Sequence, residues 1–305
     1  MSSARKINAL RGIGIRAAIW YNDPIMRTIP AQAVSDAVAR LLVQACIELP
    51  PDVEAALARC RAREQNPLAQ DTLQTILDNA AIAKQKRLPI CQDTGVAVVF
   101  AELGAEVHVT DGFIIDAIND GIRAGARAGW LRASIVRDPL QRDNTGDNAP
   151  GVVFVLPVPG DTLRLTVAPK GAGCENMSRT AMLKPGAGAA AIKEFVVATV
   201  SAAGGNACPP VVIGVGIGGD FALSALLAKK ALLRTIGARH PDPLYSALEV
   251  ELLDAVNATG IGPMGYGGAA TALEVFIERA PCHIASLPVS VCLNCHAARH
   301  ASATL

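Results

Sequence analysis

Four Gly- and Pro-rich segments carry side chains suited to metal binding, proton transfer and anion recognition. The first is Pro89-Ile90-Cys91-Gln92-Asp93-Thr94-Gly95. A thiolate is a soft metal ligand, and a carboxylate beside it can exchange protons with a bound group. The same string also suits a plain turn capped by Asp93. The second runs from Leu131-Arg132-Ala133-Ser134 to Asn144-Thr145-Gly146-Asp147-Asn148. Arg132 is suited to a bidentate grip on a carboxylate, although a polar surface loop reads the same way. The third, Lys170-Gly171-Ala172-Gly173-Cys174-Glu175-Asn176, could turn backbone N–H groups onto an anion or simply reverse the chain. Its spacing is not that of a Walker loop. The fourth joins Cys208-Pro209-Pro210 to His283 and Cys292-Leu293-Asn294-Cys295-His296. These are either ligands or buried thiols with a core histidine.

Other strings imitate known sites. Gly214-Val215-Gly216-Ile217-Gly218-Gly219 fits the dinucleotide fingerprint, but Arg239-His240-Pro241-Asp242-Pro243 stands where a second strand ending in an acid belongs. Cys292-x-x-Cys295-His296 fits a haem-attachment string, which needs export. A zinc site on Cys292, Cys295 and His296 would need His300 or His283 as a fourth ligand.

Helical periodicity over Ala31–Leu49, 53–64 and Leu68–Lys86 opens the chain with three helices, the second capped by Asp52. Strands are expected at Val96–Leu103 and Ala105–Thr110, then a helix at Gly112–Ala128. A hairpin of Val152–Val158 and Thr162–Ala168 turns at Pro159-Gly160-Asp161. A helix near 186–202, a strand at Val211–Val215, a helix from Asp220 to Leu233 and a helix at Ser246–Asn257 follow. Strands at Leu273–Ile277 and Leu287–Val291 end the pattern. The expected class is mixed α/β, with N-terminal helices followed by mixed sheets.

The 305 residues carry 28 Lys+Arg against 27 Asp+Glu, a net charge of +1, which excludes a basic nucleic-acid-binding surface. No uninterrupted apolar run reaches membrane-spanning length, so no membrane segment is expected. Residues 1–25 are basic, with Arg5, Lys6, Arg11 and Arg16 against Asp23, and read as an extension or a start placed too far upstream. Residues 26–305 read as one domain. The eight cysteines lie at irregular spacings with no secretory signal, which favours reduced thiols in the cytoplasm over a disulfide framework. Cys46, Cys60 and Cys282 read as small buried hydrophobes.

Taken in order, the strings ICQDTG (90–95), NTGDN (144–148), KGAGCENMS (170–178), NACPPVVIGVGIGG (206–219), GIGPMGYGG (260–268) and LNCHAARH (293–300) resemble the α subunit of two-subunit class I fumarases and L-tartrate dehydratases. The likeness runs from about Met26 to the C-terminus. It implies a hydro-lyase of the iron–sulfur type. It also implies a 4Fe–4S cluster on Cys91, Cys208 and Cys295 with one iron left open, a Lewis acid for the substrate hydroxyl and one carboxylate. Asp93 would be the proton donor to the leaving hydroxyl. Gln92, Arg132, His283 and the Gly171–Gly173 turn would contact substrate. The rest of the family's site lies in a second module, here expected on a separate, smaller β subunit in an αβ or (αβ)2 assembly.

The chain departs from the family in places. Cys174 stands where serine is usual, Ala269-Ala270-Thr271 replaces Lys-Thr-Thr, and Cys292 competes on paper with Cys295 as third ligand. The ENMS and GPMGYGG strings look closer to fumarases, so reversible hydration of fumarate to L-malate, a step of the tricarboxylic acid cycle, is the expected reaction. L-tartrate or mesaconate are the alternative substrates. A noncatalytic cluster-binding protein is the alternative of another class.

Overall fold

A computed structural model describes residues 26–305. The expected extension at 1–25 lies outside the described residues. The strands are β1 (Arg27–Pro30), β2 (Val96–Gly104), β3 (Val107–Thr110), β4 (Val152–Val158), β5 (Leu163–Lys170), β6 (Arg179–Leu183), β7 (Val211–Gly219), β8 (Ala272–Cys282), β9 (Leu287–Asn294) and β10 (Ala301–Thr304). The α-helices are α1 (Ala31–Ile47), α2 (Pro51–Arg63), α3 (Pro67–Lys86), α4 (Ile114–Ala128), the single-turn α5 (Ala172–Glu175), α6 (Gly188–Ala203), α7 (Phe221–Ala231) and α8 (Pro243–Asn257).

Two four-stranded mixed sheets organise these elements, ordered β10-β5-β2-β4 and β6-β9-β7-β8; β1 and β3 form a separate parallel pair. The amphipathic faces of α1 and α4 cover one side of the first sheet through Val38, Leu42, Ile118 and Ile122. The second sheet is a middle layer. On one side it packs Val196, Val200 and Leu252 of α6 and α8. On the other it packs Ala228 of α7 and Leu57 and Leu73 of α2 and α3.

The hairpin expected at 152–168 does not form. β2 lies between the two strands, parallel to β4 and antiparallel to β5. Its apolar run belongs in the middle of a sheet, and α4 is long enough to carry the chain back for a parallel partner. The link at 158–162 instead wraps the end of β2, accepting from the N–H groups of Gly104, Ala105 and Glu106. Strands β1, β6 and β10 and the turn α5 have no expectation in the sequence reading; three of these four have only four residues each, too short for a periodic signal.

Further expectations are corrected. Asp52 does not cap α2: Pro50 occupies the cap, and the Asp52 carboxylate accepts from Ile236 N at 2.7 Å. Asp220 does cap α7, accepting from Leu223 N. Cys282 is exposed and Cys60 half-buried, so of the three supposed core thiols only Cys46 is buried. Pro185–Ala207, a 23-residue helical stretch, has the length and hydropathy to cross a membrane, with 28% of its apolar window buried. Lys193 and Glu194 interrupt this alanine-rich stretch, so it contains no uninterrupted apolar run of that length.

The glycine string 214–219 lies inside β7, not in a turn after it. Its glycines serve helix packing. A Cβ on Gly216 would stand 1.9 Å from the Ser224 carbonyl oxygen of α7, and one on Gly214 2.0 Å from that of Ala228. Gly216→Ala is therefore expected to destabilise the chain by about 3 kcal/mol or more, read as a lowered urea midpoint. An unchanged midpoint would show that α7 can move off the sheet.

Candidate active site

The sheet directions bring the four singled-out loops together. Cys208 precedes β7, and Cys295 follows β9, which runs antiparallel to β7. Both therefore stand on one rim of the second sheet. Likewise Cys91 precedes β2, and Gly171 follows the antiparallel β5, with Val96 opposite Lys170. The strap 295–300 then crosses from the end of β9 to β10, joining the two rims.

Each loop is held locally. The Cys91 turn is fastened by Ile90 N to Cys46 O (2.9 Å) and by Asn79 Nδ2 to Ile90 O (2.9 Å), which tie it to α1 and α3. Asp93 N donates to Cys91 Sγ at 3.4 Å. The Asp93 carboxylate accepts from Gly95 N at 2.9 Å and from Ala172 N at 2.8 Å, bridging the first and third loops. Little room is left at that bridge: a Cβ on Gly171 would sit 3.3 Å from Asp93 Oδ2. Gly173 follows in the first turn of α5, where N–H groups lack helical partners. Gln92 is exposed at the rim.

Cys208 adopts φ +52, a left-handed conformation uncommon for a non-glycine residue. Its carbonyl accepts from His296 N (3.2 Å) and lies 3.0 Å from His296 Nδ1, which ties the Cys208 loop to the strap. Met264 N donates to Pro209 O at 2.8 Å, so the GPMGYGG loop packs behind Cys208. That loop is itself pinned by the buried Glu64, whose carboxylate accepts from Ala269 N at 2.8 Å.

Arg132 reaches the rim through its backbone. Its carbonyl accepts from Thr94 Oγ1 (2.8 Å), Asn148 Nδ2 (3.0 Å) and Ser134 Oγ (3.1 Å), while its side chain is exposed. Asn148, buried at φ +61, also accepts from Ser134 N at 2.7 Å. The NTGDN string thus positions Arg132 rather than contacting a ligand with every side chain.

His283 is not brought to this rim. It occupies the exposed turn between β8 and β9, where its Nδ1 accepts from Ala285 N. Cys295 lies beyond the other end of β9, a strand length of about 25 Å away.

A fourth thiol, Cys174, belongs to the rim. It is buried, and Lys170 Nζ donates to its sulfur at 3.1 Å. The neighbouring Cys295 thiol and the Lys170 charge hold Cys174 below the ordinary thiol range against its burial. The closeness of Cys174, with burial, raises Cys295 well above the usual thiol range. Burial raises Cys208, reinforced by the charges of Cys174, Cys91 and Asp93. Burial pulls the Lys170 ammonium down, but Cys292, Cys174 and Glu175 together hold it above its ordinary value. Glu175 pairs with Lys170 (3.1 Å) and Lys229 (2.6 Å).

Cys292 faces the other way. It is buried against Ala228, Leu232 and Phe276, with Ser178 Oγ and Glu175 Oε2 each 3.7 Å from its sulfur. The Cys-x-x-Cys spacing therefore places its two thiols on different sides, which removes the zinc reading. Among the described residues no three His, Cys, Asp or Glu side chains form a cage for a single ion. The rim thiols instead stand apart while sensing one another's charge, with a soft donor set suited to a cluster of several metal atoms. A buried guanidinium, Arg299, and the buried ammonium of Lys170 stand beside them. Arg299 Nη1 has no hydrogen-bond partner among the described residues. A donor set of thiolates with excess buried positive charge fits a negatively charged iron–sulfur cluster.

The sequence reading missed Lys170, Asn148 and Arg299 as functional residues. Their signal was their place inside the matching strings; Lys170 bonds within its own string, whereas the contacts of Asn148 and Arg299 reach outside theirs.

Residues 35–304 match the family described as fumarate hydratase (Fumerase). A chain of Methanocaldococcus jannaschii described as "Putative L(+)-tartrate dehydratase subunit alpha" is 44% identical over 274 residues, covering 88% of this chain and 96% of that one. The L(+)-tartrate dehydratase subunit alpha of Escherichia coli K12 is 31% identical over 269 residues, covering 87% and 88%. That of Shigella sonnei matches to the same extent.

Proposed function

Because this chain belongs to the fumarate hydratase family of hydro-lyases, we propose that it is the α subunit of an iron–sulfur enzyme that reversibly hydrates fumarate to L-malate. The observation that carries this reading is the convergence of Cys91, Cys208 and Cys295 with Asp93 and Arg132 where the two sheets meet.

Cys91, Cys208 and Cys295 would hold a 4Fe–4S cluster. When bound, it supplies a Lewis-acidic iron for the substrate hydroxyl and carboxylate. The chain's own residues do the remaining work on this half of the site. Arg132, held by its carbonyl and free at its guanidinium, grips a substrate carboxylate. Gln92 and the N–H groups of the Gly171–Gly173 turn orient the substrate. Asp93 gives a proton to the departing hydroxyl in dehydration and takes it back from water in hydration. Its two backbone hydrogen bonds fix the carboxylate for this task.

The "subunit alpha" names of the relatives support a partner β subunit, and the base for the C–H proton would come from it. His283 contributes to this site only if it arrives from another chain of the assembly. The relatives' names favour a second substrate, L-tartrate. L-malate and L-tartrate are both C4 dicarboxylates with a hydroxyl on C2, and Arg132 and Asp93 would treat them alike.

Co-expression with the candidate β subunit, then anaerobic assay against fumarate, L-tartrate and mesaconate, tests the reading. The highest kcat/KM is expected with fumarate. A higher value with L-tartrate would replace the substrate, and an iron-loaded complex inactive on all three would overturn the reading.

A further inference from the structure

Arg299 is only 3% exposed and sits in the strap between Cys295 and β10. Its Nη2 donates to the Asp93 carbonyl at 2.5 Å and its Nε to the Pro169 carbonyl at 3.4 Å. Neither partner carries a charge, and Nη1 has no partner among the described residues. A buried cation lacking a counter-charge, with an unsatisfied donor, is costly and persists only where something else compensates it. The side chain lies where three segments meet: the Cys91–Asp93 turn, the end of β5 before Gly171, and the strap that begins at Cys295.

We infer that Arg299 is a positioning residue: it clamps the Cys91–Asp93 turn against the Cys295 strap and supplies buried positive charge for the thiolates gathered there. The inference rests on the cluster reading given above, but its clamping half concerns contacts present in the chain alone. By holding the Asp93 carbonyl, Arg299 fixes the backbone between a proposed ligand, Cys91, and the carboxylate that bridges to Ala172. By sitting four residues after Cys295, it ties a second ligand to the same frame. Neither a lysine nor a neutral side chain reproduces both functions. Lysine keeps the charge without the forked donors, and glutamine keeps one donor group without the charge.

The test compares the wild-type chain with Arg299→Gln and Arg299→Lys, each co-expressed with the candidate β subunit. In the iron-free form, amide hydrogen exchange of residues 91–95 is followed against that of β7. In the anaerobically reconstituted form, the rate of iron loss to a chelator and the visible spectrum are followed. Arg299→Gln is expected to speed exchange of 91–95 and iron loss each by about tenfold or more, as suits loss of a charge-assisted clamp. Exchange of β7 stays unchanged. Arg299→Lys should recover most of the iron retention and little of the exchange protection. Wild-type exchange and wild-type iron retention in Arg299→Gln would overturn the inference. Should Arg299→Gln fail to fold, Arg299→Lys decides it, since wild-type exchange at 91–95 there would remove the clamp. Should the wild-type chain take up no iron, the cluster reading fails, while the exchange measurement still decides whether Arg299 clamps the turn.

Discussion

Serine in place of Cys91, Cys208 or Cys295 is expected to lower the iron of the anaerobically reconstituted protein from about four atoms per chain to below about one, with loss of its brown colour. The expectation follows from where the three thiols stand. Each arrives from a different loop, before β2, before β7 and after β9, and the cysteine nearest any of them in sequence, Cys292, faces away. Cys292→Ser is the matched control. Its sulfur faces Ser178, Glu175 and the apolar layer under α7, away from Cys295. Iron and colour should therefore persist in Cys292→Ser. Full iron in Cys295→Ser would overturn the ligand set and turn attention to Cys174, the one further thiol on the rim.

Asp93→Asn in the αβ complex is expected to lower kcat by about 10²- to 10⁴-fold, the usual range for a lost acid–base group. Iron content should be retained, because the substituted amide would keep an acceptor for one of the two backbone N–H groups that now bind the carboxylate. The other N–H would then face an amide donor. That change alone costs about 1 kcal/mol, a melting-temperature shift of a few degrees at most. The two effects therefore separate: a structural role moves stability slightly, and a proton-transfer role moves kcat by orders of magnitude. A kcat within about threefold of the wild-type value, against the 10² or more expected of an acid–base group, would remove Asp93 as the proton donor. Iron loss in Asp93→Asn would instead assign it to holding the Cys91 turn.

Much of the scaffold was legible because helices and strands write their burial into short periods. The stripe Val34, Val38, Leu41, Leu42 and Ala45 announces α1, and all five side chains are buried. Strand pairing is not written that way. The run 152–168 reads as a hairpin because its two apolar segments flank Pro159-Gly160-Asp161, yet β2, some fifty residues earlier, inserts between them. No local pattern announces such an insertion, since it is decided by which strand best fills the middle of the sheet. The glycines at 214–219 fail in the same manner. Their spacing imitates a nucleotide turn, and only the approach of α7 to β7 shows that they make room for helix backbone.

What the sequence determined by itself was the chemistry available: three separated cysteines, a carboxylate beside one of them, an arginine in a polar loop, and glycines where backbone must turn. These follow from residue type and from strings that survive without their context. Tertiary structure decided which of them meet. Antiparallel pairing of β2 with β5 and of β7 with β9 carries four loops to one junction and carries His283 to the opposite end of β9. It turns Cys292 inward while Cys295 faces the rim, although only two residues separate them. It also recruits Cys174, Lys170 and Arg299, whose roles come from contacts across 120 to 206 residues of chain or from a neighbour four residues away. The reason is physical. A side chain's identity is a local property, but its charge partners, its burial and the proton it holds belong to the surface that closes over it.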